Sequence, residues 1–104
     1  GLAEEYFRKA ISMEPESLEP YLNLAALLRS GKKFAEAAKV LETPIGRNVR
    51  DVNLYLAYAV AKDNMGHAAE AIKYYRQYLG LAKPSRVRDA VVERLRYLEE
   101  RGKR

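Results

Sequence analysis

The chain has 104 residues, of which 48% are hydrophobic and 32% are charged, and its formal net charge is +5. This composition is that of a small globular domain, and it excludes a disordered or low-complexity chain. Because the sequence contains no cysteine, it also excludes disulfides, thiolate metal sites and cysteine nucleophiles.

The sequence leaves the cellular compartment open. No apolar run reaches the roughly 18 residues that a membrane-spanning helix needs, and the N-terminus lacks the basic-then-apolar layout of a signal peptide. The sequence begins at Gly1, inside an amphipathic segment, which favours a fragment of a longer protein, so any targeting signal could have been left behind. We therefore expect a soluble chain that is cytoplasmic by default.

The first two predicted helices are bounded by proline and glycine signals. Apolar residues on one helical face predict a helix from Ala3 to Met13, which ends before Pro15. The second helix is expected to begin at an N-cap residue, Ser17, and to stop at Gly31. A short turn should join the two.

The third predicted helix begins near Phe34 and should be cut short by Pro44, because the residue before a proline avoids helical geometry. Residues 45–50, which include a glycine and an asparagine, are then expected to form a linker. The outer side of this hairpin should therefore be irregular.

Three further helices are predicted in the second half of the chain. Asp51 is the expected N-cap of the fourth helix, which runs to Asn64 and closes at Gly66. The fifth helix starts around Ala68, and a Pro-Ser pair separates it from a last helix capped by Ser85. Six helices in all are expected.

Residues of similar type recur every 34 positions, and this period is the most informative feature of the sequence. A shared period at so many positions predicts a repeated helical hairpin. The recurring sets are Ala3, Ala37 and Ala71; Phe7, Leu41 and Tyr75; Tyr21 and Tyr55; Leu24 and Tyr58; and Ala25 and Ala59.

This pattern resembles the tetratricopeptide repeat, whose signature spreads small and aromatic residues over 34 residues of helix-turn-helix. The resemblance implies an all-α fold, a right-handed superhelical solenoid of antiparallel helix-turn-helix hairpins with about six helices. It divides a single domain, residues 1–104, into a trailing half-repeat (3–17), two repeats (18–51 and 52–85), a capping helix (86–101) and a tail (102–104).

No pattern of catalytic or metal-binding residues accompanies the repeat. The single histidine, His67, has no second histidine or cysteine with which to complete a zinc site or a catalytic dyad. Glycine-rich phosphate loops and nucleophile elbows are missing as well. We therefore predict a chain that is not an enzyme and has no cofactor or metal.

The resemblance implies that another protein or a peptide lies along the concave surface formed by the first helix of each hairpin. On these helices, the residues that do not point into the stack give an apolar surface with a few amides, which suits an anchored peptide. The candidate groove residues are Glu19, Leu22, Asn23, Ala26, Asn53, Leu56, Ala57, Val60, Val87 and Val91.

The groove does not match the clamp with which some members of this family hold the C-terminal carboxylate of heat-shock chaperones. Asn23 matches one asparagine of that clamp, but Asn53 and Ala57 stand where its lysine and arginine should follow. The sequence therefore argues against binding of chaperone tails.

Two other functions compete with the binding of a partner protein in the concave groove. Leu2, Tyr6 and Ala10 lack a preceding helix to cover them, which predicts self-association or the extension of a longer solenoid. The stretch from Arg86 onward has seven basic and four acidic residues, and with the tyrosine-rich segment 74–78 it suggests weak nucleic-acid binding. Alternating acids and the repeat register instead favour a solvated capping helix and packed tyrosines.

Overall fold

Residues 1–103 are described by a computed structural model and form, over that range, six α-helices and no strand. Arg104, the last residue of the predicted tail, lies outside the described residues. The all-α prediction is confirmed. The helices are α1 (Leu2–Met13), α2 (Glu19–Ser30), α3 (Phe34–Gly46), α4 (Val52–Asn64), α5 (Ala68–Leu81) and α6 (Arg86–Arg101).

Each helix packs against the next one along the chain, and α2 also packs against α4. The α2–α4 contact joins the α2–α3 hairpin to the α4–α5 hairpin through their first helices. Since each hairpin buries its apolar side chains against its neighbours, the fold is that of a helical solenoid. The stack is elongated, with principal extents of 44 × 25 × 25 Å.

Two of the three predicted N-caps are confirmed. The Asp51 carboxylate accepts hydrogen bonds from the backbone N–H groups of Asn53 and Leu54, over 2.8 and 2.9 Å. The Ser85 hydroxyl accepts one from the backbone N–H of Arg88 over 3.0 Å. Each cap thereby satisfies backbone donors that a helix leaves free at its start.

Ser17 does not cap α2, so this prediction is wrong. The helix begins at Glu19, after Leu18, and no side chain bonds to its first turn. A cap at Ser17 would place Pro20 at the third helical position, so only one of the two backbone N–H groups that a cap can use, that of Glu19, would remain. The chain turns here instead, and the Ser17 backbone N–H donates to the carbonyl oxygen of Glu14 over 3.0 Å.

Pro44 does not end α3, which contradicts the linker predicted for residues 45–50. The helix continues to Gly46, and Pro44 is buried inside it. Proline removes its own N–H donor and its ring crowds the preceding turn, but the turn beyond it is closed by the N–H of Arg47, which donates to the carbonyl oxygen of Thr43 over 3.1 Å. Burial of the proline ring offsets the lost hydrogen bond, so the linker is shorter than expected.

The turns inside the two hairpins adopt the same unusual backbone conformation with different residues. Gly66 has a φ of +81°, which allows the chain to turn after α4. Lys32, 34 positions earlier, has a φ of +60°, in the left-handed region that residues with a Cβ atom rarely adopt. The first turn therefore carries a backbone strain that the second turn avoids.

Two clusters of buried side chains form the core, the first centred on α2 and α3 and the second on α4, α5 and α6. Four alanines of the 34-residue period lie in these clusters, and none is more than 3% exposed. They are Ala25, Ala37, Ala59 and Ala71. Because alanine has no atom beyond Cβ, these positions let neighbouring helices approach closely.

A candidate partner-binding groove

An open depression with a volume of about 210 Å³ lies between α2 and α4, and we call it the α2–α4 groove. Five of the ten predicted groove residues line it: Leu22, Ala26, Asn53, Leu56 and Ala57. The rest of its wall consists of Ala25, Arg29, Ala37 and Ala61. The structure thus brings half of the candidate set together, on two repeat-related helices.

Small side chains explain why a depression forms at this place. Ala25, Ala37 and Ala61 are at most 3% exposed, and as the buried residues of the wall they form its floor. Leu22 and Leu56 are half-buried and rise beside this floor. The groove can therefore receive an apolar side chain of a partner while α2 and α4 stay in contact.

Two polar side chains of the wall have no partner among the described residues. Within residues 1–103, Arg29 forms no ion pair. Asn53 uses its backbone N–H as a donor to Asp51, whereas its side-chain amide makes no hydrogen bond in the same range. Both side chains are exposed. The groove therefore offers a cation and an amide beside an apolar floor.

Four of the other predicted residues lie outside the α2–α4 groove. Glu19 and Asn23 are exposed on α2 but do not line the depression. Val60 is half-buried and packs against the second core cluster, and Val87 is 52% exposed on α6. The structure therefore does not gather these residues around the depression.

Val91 is a core residue, so its assignment to the groove is wrong. It is 5% exposed and lies in the second cluster with Leu95 and Leu98. These three residues follow helical spacing and form the stripe by which α6 packs against α5. The apolar pattern reveals such a stripe but does not reveal which neighbour it faces.

The end of α4 is tied to α6 by an ion pair. Arg94 donates from Nε and Nη2 to the two carboxylate oxygens of Asp63, each over 2.8 Å. The Tyr75 hydroxyl donates to the same carboxylate over 2.8 Å. The hydrogen bond from Arg94, aided by Tyr75, lowers the pKa of Asp63. Burial, reinforced by Asp63, raises the pKa of Tyr75 well above its usual range.

Lys62 is a buried cation at the position that Leu28 occupies in the preceding repeat. It is 8% exposed, and its Nζ lies 3.4 Å from Glu70 Oε2 and 5.4 Å from the centre of the Tyr58 ring. Burial alone would lower the pKa of this ammonium, but Tyr58 and Glu70 outweigh burial and raise the pKa. Lys62 therefore remains charged and joins α4 to α5.

The tyrosine-rich segment lies against the core. Tyr75 and Tyr78 are 4% and 5% exposed, which confirms that they are packing residues. Tyr74 is half-buried, and its ring meets that of Tyr58 edge to face with 4.8 Å between the centres. These rings therefore do not form the exposed platform on which nucleic-acid bases would stack.

Acidic side chains accompany the basic residues of α6. Arg96 Nη1 lies 3.3 Å from Oε1 of Glu93. Arg76 of α5 forms an ion pair with Glu99 of α6. The helix thus has the mixed charges of a solvated outer face, whereas a nucleic-acid surface presents a row of free cations.

The one histidine takes part in a surface contact. His67 is exposed at the start of α5, and its Nδ1 lies 3.7 Å from Oε1 of Glu70. In the part of the chain that the structure describes, no three histidine, aspartate or glutamate side chains cluster as metal ligands would. Neither observation indicates a chemical step.

Residues 52–84 match the family model of the tetratricopeptide repeat. No curated protein matches the sequence. The matched segment covers the α4–α5 hairpin, and the six-helix all-α fold is consistent with a solenoid of repeats of this kind. Repeats of this family generally mediate protein–protein interaction.

None of the helices within residues 1–103 has the length and apolarity needed to cross a bilayer.

Proposed function

We propose that the chain is a non-catalytic scaffold that holds a segment of a partner protein in the α2–α4 groove. The groove itself carries this proposal, since side chains of two repeat-related helices surround one depression with an alanine floor. Its volume of about 210 Å³ suits one or two side chains of a peptide. Sites for whole small molecules are usually larger, about 300–1,000 Å³.

The wall of the groove indicates what kind of peptide it favours. An apolar side chain contacts Leu22 and Leu56 over the alanine floor, and its removal from water provides the main driving force. The Asn53 amide donates to and accepts from the peptide backbone, which fixes the direction of the peptide. Arg29 attracts an acidic group. The favoured partner therefore has a large apolar residue next to an acidic one.

Affinity capture with matched variants tests the groove. Asn53→Arg and Leu56→Glu each place a charge in the depression, so proteins captured by the wild type should be lost from both. Asn64→Arg adds the same charge as Asn53→Arg at an exposed position of α4 outside the groove, and it should retain the partner. Circular dichroism melting curves verify that each variant is folded. Identical sets of captured proteins for all four chains would contradict the proposal.

The exposed face of α1 favours a second function, self-association or extension of a longer solenoid. No residue of α1 is buried. Leu2 and Tyr6 are 85% and 69% exposed, and Ala10 is half-buried. Ala3 is exposed although its counterpart in the repeat, Ala37, is only 2% exposed. Apolar side chains of α1 are thus exposed to solvent, including one at a position that is buried in the following repeat.

Sedimentation velocity over a concentration series tests self-association through α1. The wild type should form a concentration-dependent dimer, and Tyr6→Glu should remain monomeric. Tyr97→Glu changes another exposed tyrosine, which is 46% exposed on α6, and it should behave like the wild type. A wild type that stays monomeric at high concentration argues against this second function.

A further inference from the structure

A second cavity, about 410 Å³ in volume, opens between the α3–α4 loop and the helices α4 and α5. We call it the loop cavity, and it shares no residue with the α2–α4 groove. Its volume lies in the range of about 300–1,000 Å³ that is typical of small-ligand sites. Its wall consists of Ile45, Asn48, Val49, Arg50, Tyr55, Lys73, Tyr74 and Gln77.

Two cations and no carboxylate line the loop cavity. Within residues 1–103, Arg50 and Lys73 form no ion pair. The Lys73 Nζ lies 5.2 Å from the centre of the Tyr74 ring, which holds the ammonium at the wall. Asp51, the acidic neighbour of Arg50, directs its carboxylate to backbone N–H groups of α4. The cavity therefore has a positive electrostatic potential.

Three neutral donors complete the wall. The side-chain amides of Asn48 and Gln77 take part in no hydrogen bond between described residues. Tyr55 is 8% exposed, and its hydroxyl also lacks a partner in that range, yet none of the fully buried polar side-chain atoms there is unsatisfied. The hydroxyl therefore still reaches solvent, and the loop cavity is the opening that Tyr55 lines.

We propose that the loop cavity binds a phosphate monoester. At pH 7 this group carries a charge of about −1.5 to −2, which matches the two cations of the wall. Its oxygens accept several hydrogen bonds at once, and a guanidinium such as that of Arg50 binds two of them in a fork. The amides and the Tyr55 hydroxyl serve the remaining oxygen lone pairs. Ile45 and Val49 contact the molecule that carries the phosphate.

Titration of the whole chain, followed by ¹⁵N nuclear magnetic resonance, tests this site. The probes are O-phosphoserine and adenosine monophosphate, which separate an amino-acid carrier from a nucleoside carrier, with serine and adenosine as phosphate-free controls. Saturable shifts in the amides of residues 48–50 and 73–77 are expected with at least one phosphate compound. Absence of saturable shifts with both, or equal shifts with the phosphate-free controls, overturns the proposal.

A pair of charge-matched variants sharpens the test. Arg50→Gln combined with Lys73→Gln removes both cations of the cavity, and binding should weaken at least about tenfold because two charge-assisted contacts are lost. Lys83→Gln combined with Arg86→Gln removes the same charge at exposed positions outside the cavity, so binding should be unchanged. Equal weakening by the two variants would mean that net charge attracts phosphate, which overturns the proposed site. The site is separate from the α2–α4 groove, so this outcome leaves the proposed function untouched.

Discussion

The α2–α3 and α4–α5 hairpins share a 34-residue register but fill it with different chemistry. Tyr21 and Tyr55 occupy the same position and are both buried, at 5% and 8% exposure. Leu28 and Lys62 also occupy one buried position, yet one is apolar and the other is a cation held by Glu70. The register thus determines which positions are buried, and neighbouring side chains determine which residue types those positions tolerate.

The two hairpins also differ in whether the charged residue at an equivalent position is free to contact a partner. Arg29 on α2 is exposed and free of ion pairs within residues 1–103. Asp63, 34 positions later on α4, is bound by Arg94 and Tyr75. At this position the first hairpin therefore offers a cation to the groove, whereas the second hairpin uses a carboxylate to hold α6.

The largest expected effect tests the packing that the hairpins share. Leu41 is 0% exposed and corresponds in register to Tyr75, which is 4% exposed. Leu41→Ala should lower the free energy of unfolding by about 2–5 kcal/mol, because it removes buried methyl groups and leaves a cavity. Val40→Ala, at a half-buried neighbour, should cost less. Urea denaturation measures both losses, and equal losses would contradict a central role of Leu41 in the core.

The next effect tests the tie between the second hairpin and α6. Asp63→Asn should lower the free energy of unfolding by about 1–3 kcal/mol at pH 7, because Arg94 and Tyr75 lose a charged acceptor. Folding lowers the pKa of Asp63, so its contribution is present above the unfolded value of about 3.9 and is lost as the pH falls through the folded value.

The variant should therefore lose less stability than the wild type when the pH is lowered below about 4. Thermal melting at a series of pH values from 7 downward measures this difference. Parallel losses in the two proteins would show that Asp63 is not linked to acid unfolding. Glu93→Gln, which changes an exposed carboxylate of α6, serves as the control and should follow the wild type.

A smaller effect tests the buried cation that distinguishes α4 from α2. Lys62→Leu gives α4 the residue type of α2 at this position and should change the free energy of unfolding by less than about 1 kcal/mol. Glu70→Gln should cost up to about 1 kcal/mol in the wild type, where Lys62 loses its counter-charge. The same change should cost nothing once Lys62 is leucine. A double-mutant cycle measured by urea denaturation detects this coupling, and additive changes would rule it out.

The smallest effect tests the two turns. Lys32→Gly should raise the free energy of unfolding by about 0.5–1 kcal/mol, because glycine adopts a positive φ without strain. Gly66→Ala, at the equivalent position, should lower it by about 1 kcal/mol for the same reason. Thermal melting compares them. Changes of opposite sign in the free energy of unfolding would support a strained backbone at Lys32. Destabilisation by both variants would show that the Lys32 side chain contributes more than its backbone strain.

Much of the fold follows from local chemistry in the sequence. Asp51 and Ser85 cap helices because the residues that follow them supply free backbone N–H groups. The two errors arise where local rules meet other constraints. Ser17 precedes Pro20, which removes one of the two N–H groups that a cap there could use, and the Ser17 backbone N–H joins a turn instead. Pro44 remains in α3 because the core covers its ring, and a linear pattern does not report such burial.

The sequence pattern predicts only part of the candidate site. Five of the predicted groove residues line one depression because α2 and α4 are equivalent helices that pack together. The pattern misplaces Val91 because a stripe of apolar residues does not identify its neighbour. The loop cavity has no sequence signal, since Arg50 and Lys73 come from separate elements and meet only through the tertiary fold.

The order in which the helices unfold locally follows from their unequal burial. α1 contributes no buried residue, whereas α4 contributes six. Opening of α1 breaks only partly buried contacts, such as those of Phe7 and Ile11 with the first cluster, so its amide hydrogens should exchange with solvent through local opening. Those of α4 should exchange only when the whole array unfolds. The groove between α2 and α4 therefore persists while α1 opens and closes, and a bound partner samples a stable surface beside a fluctuating end.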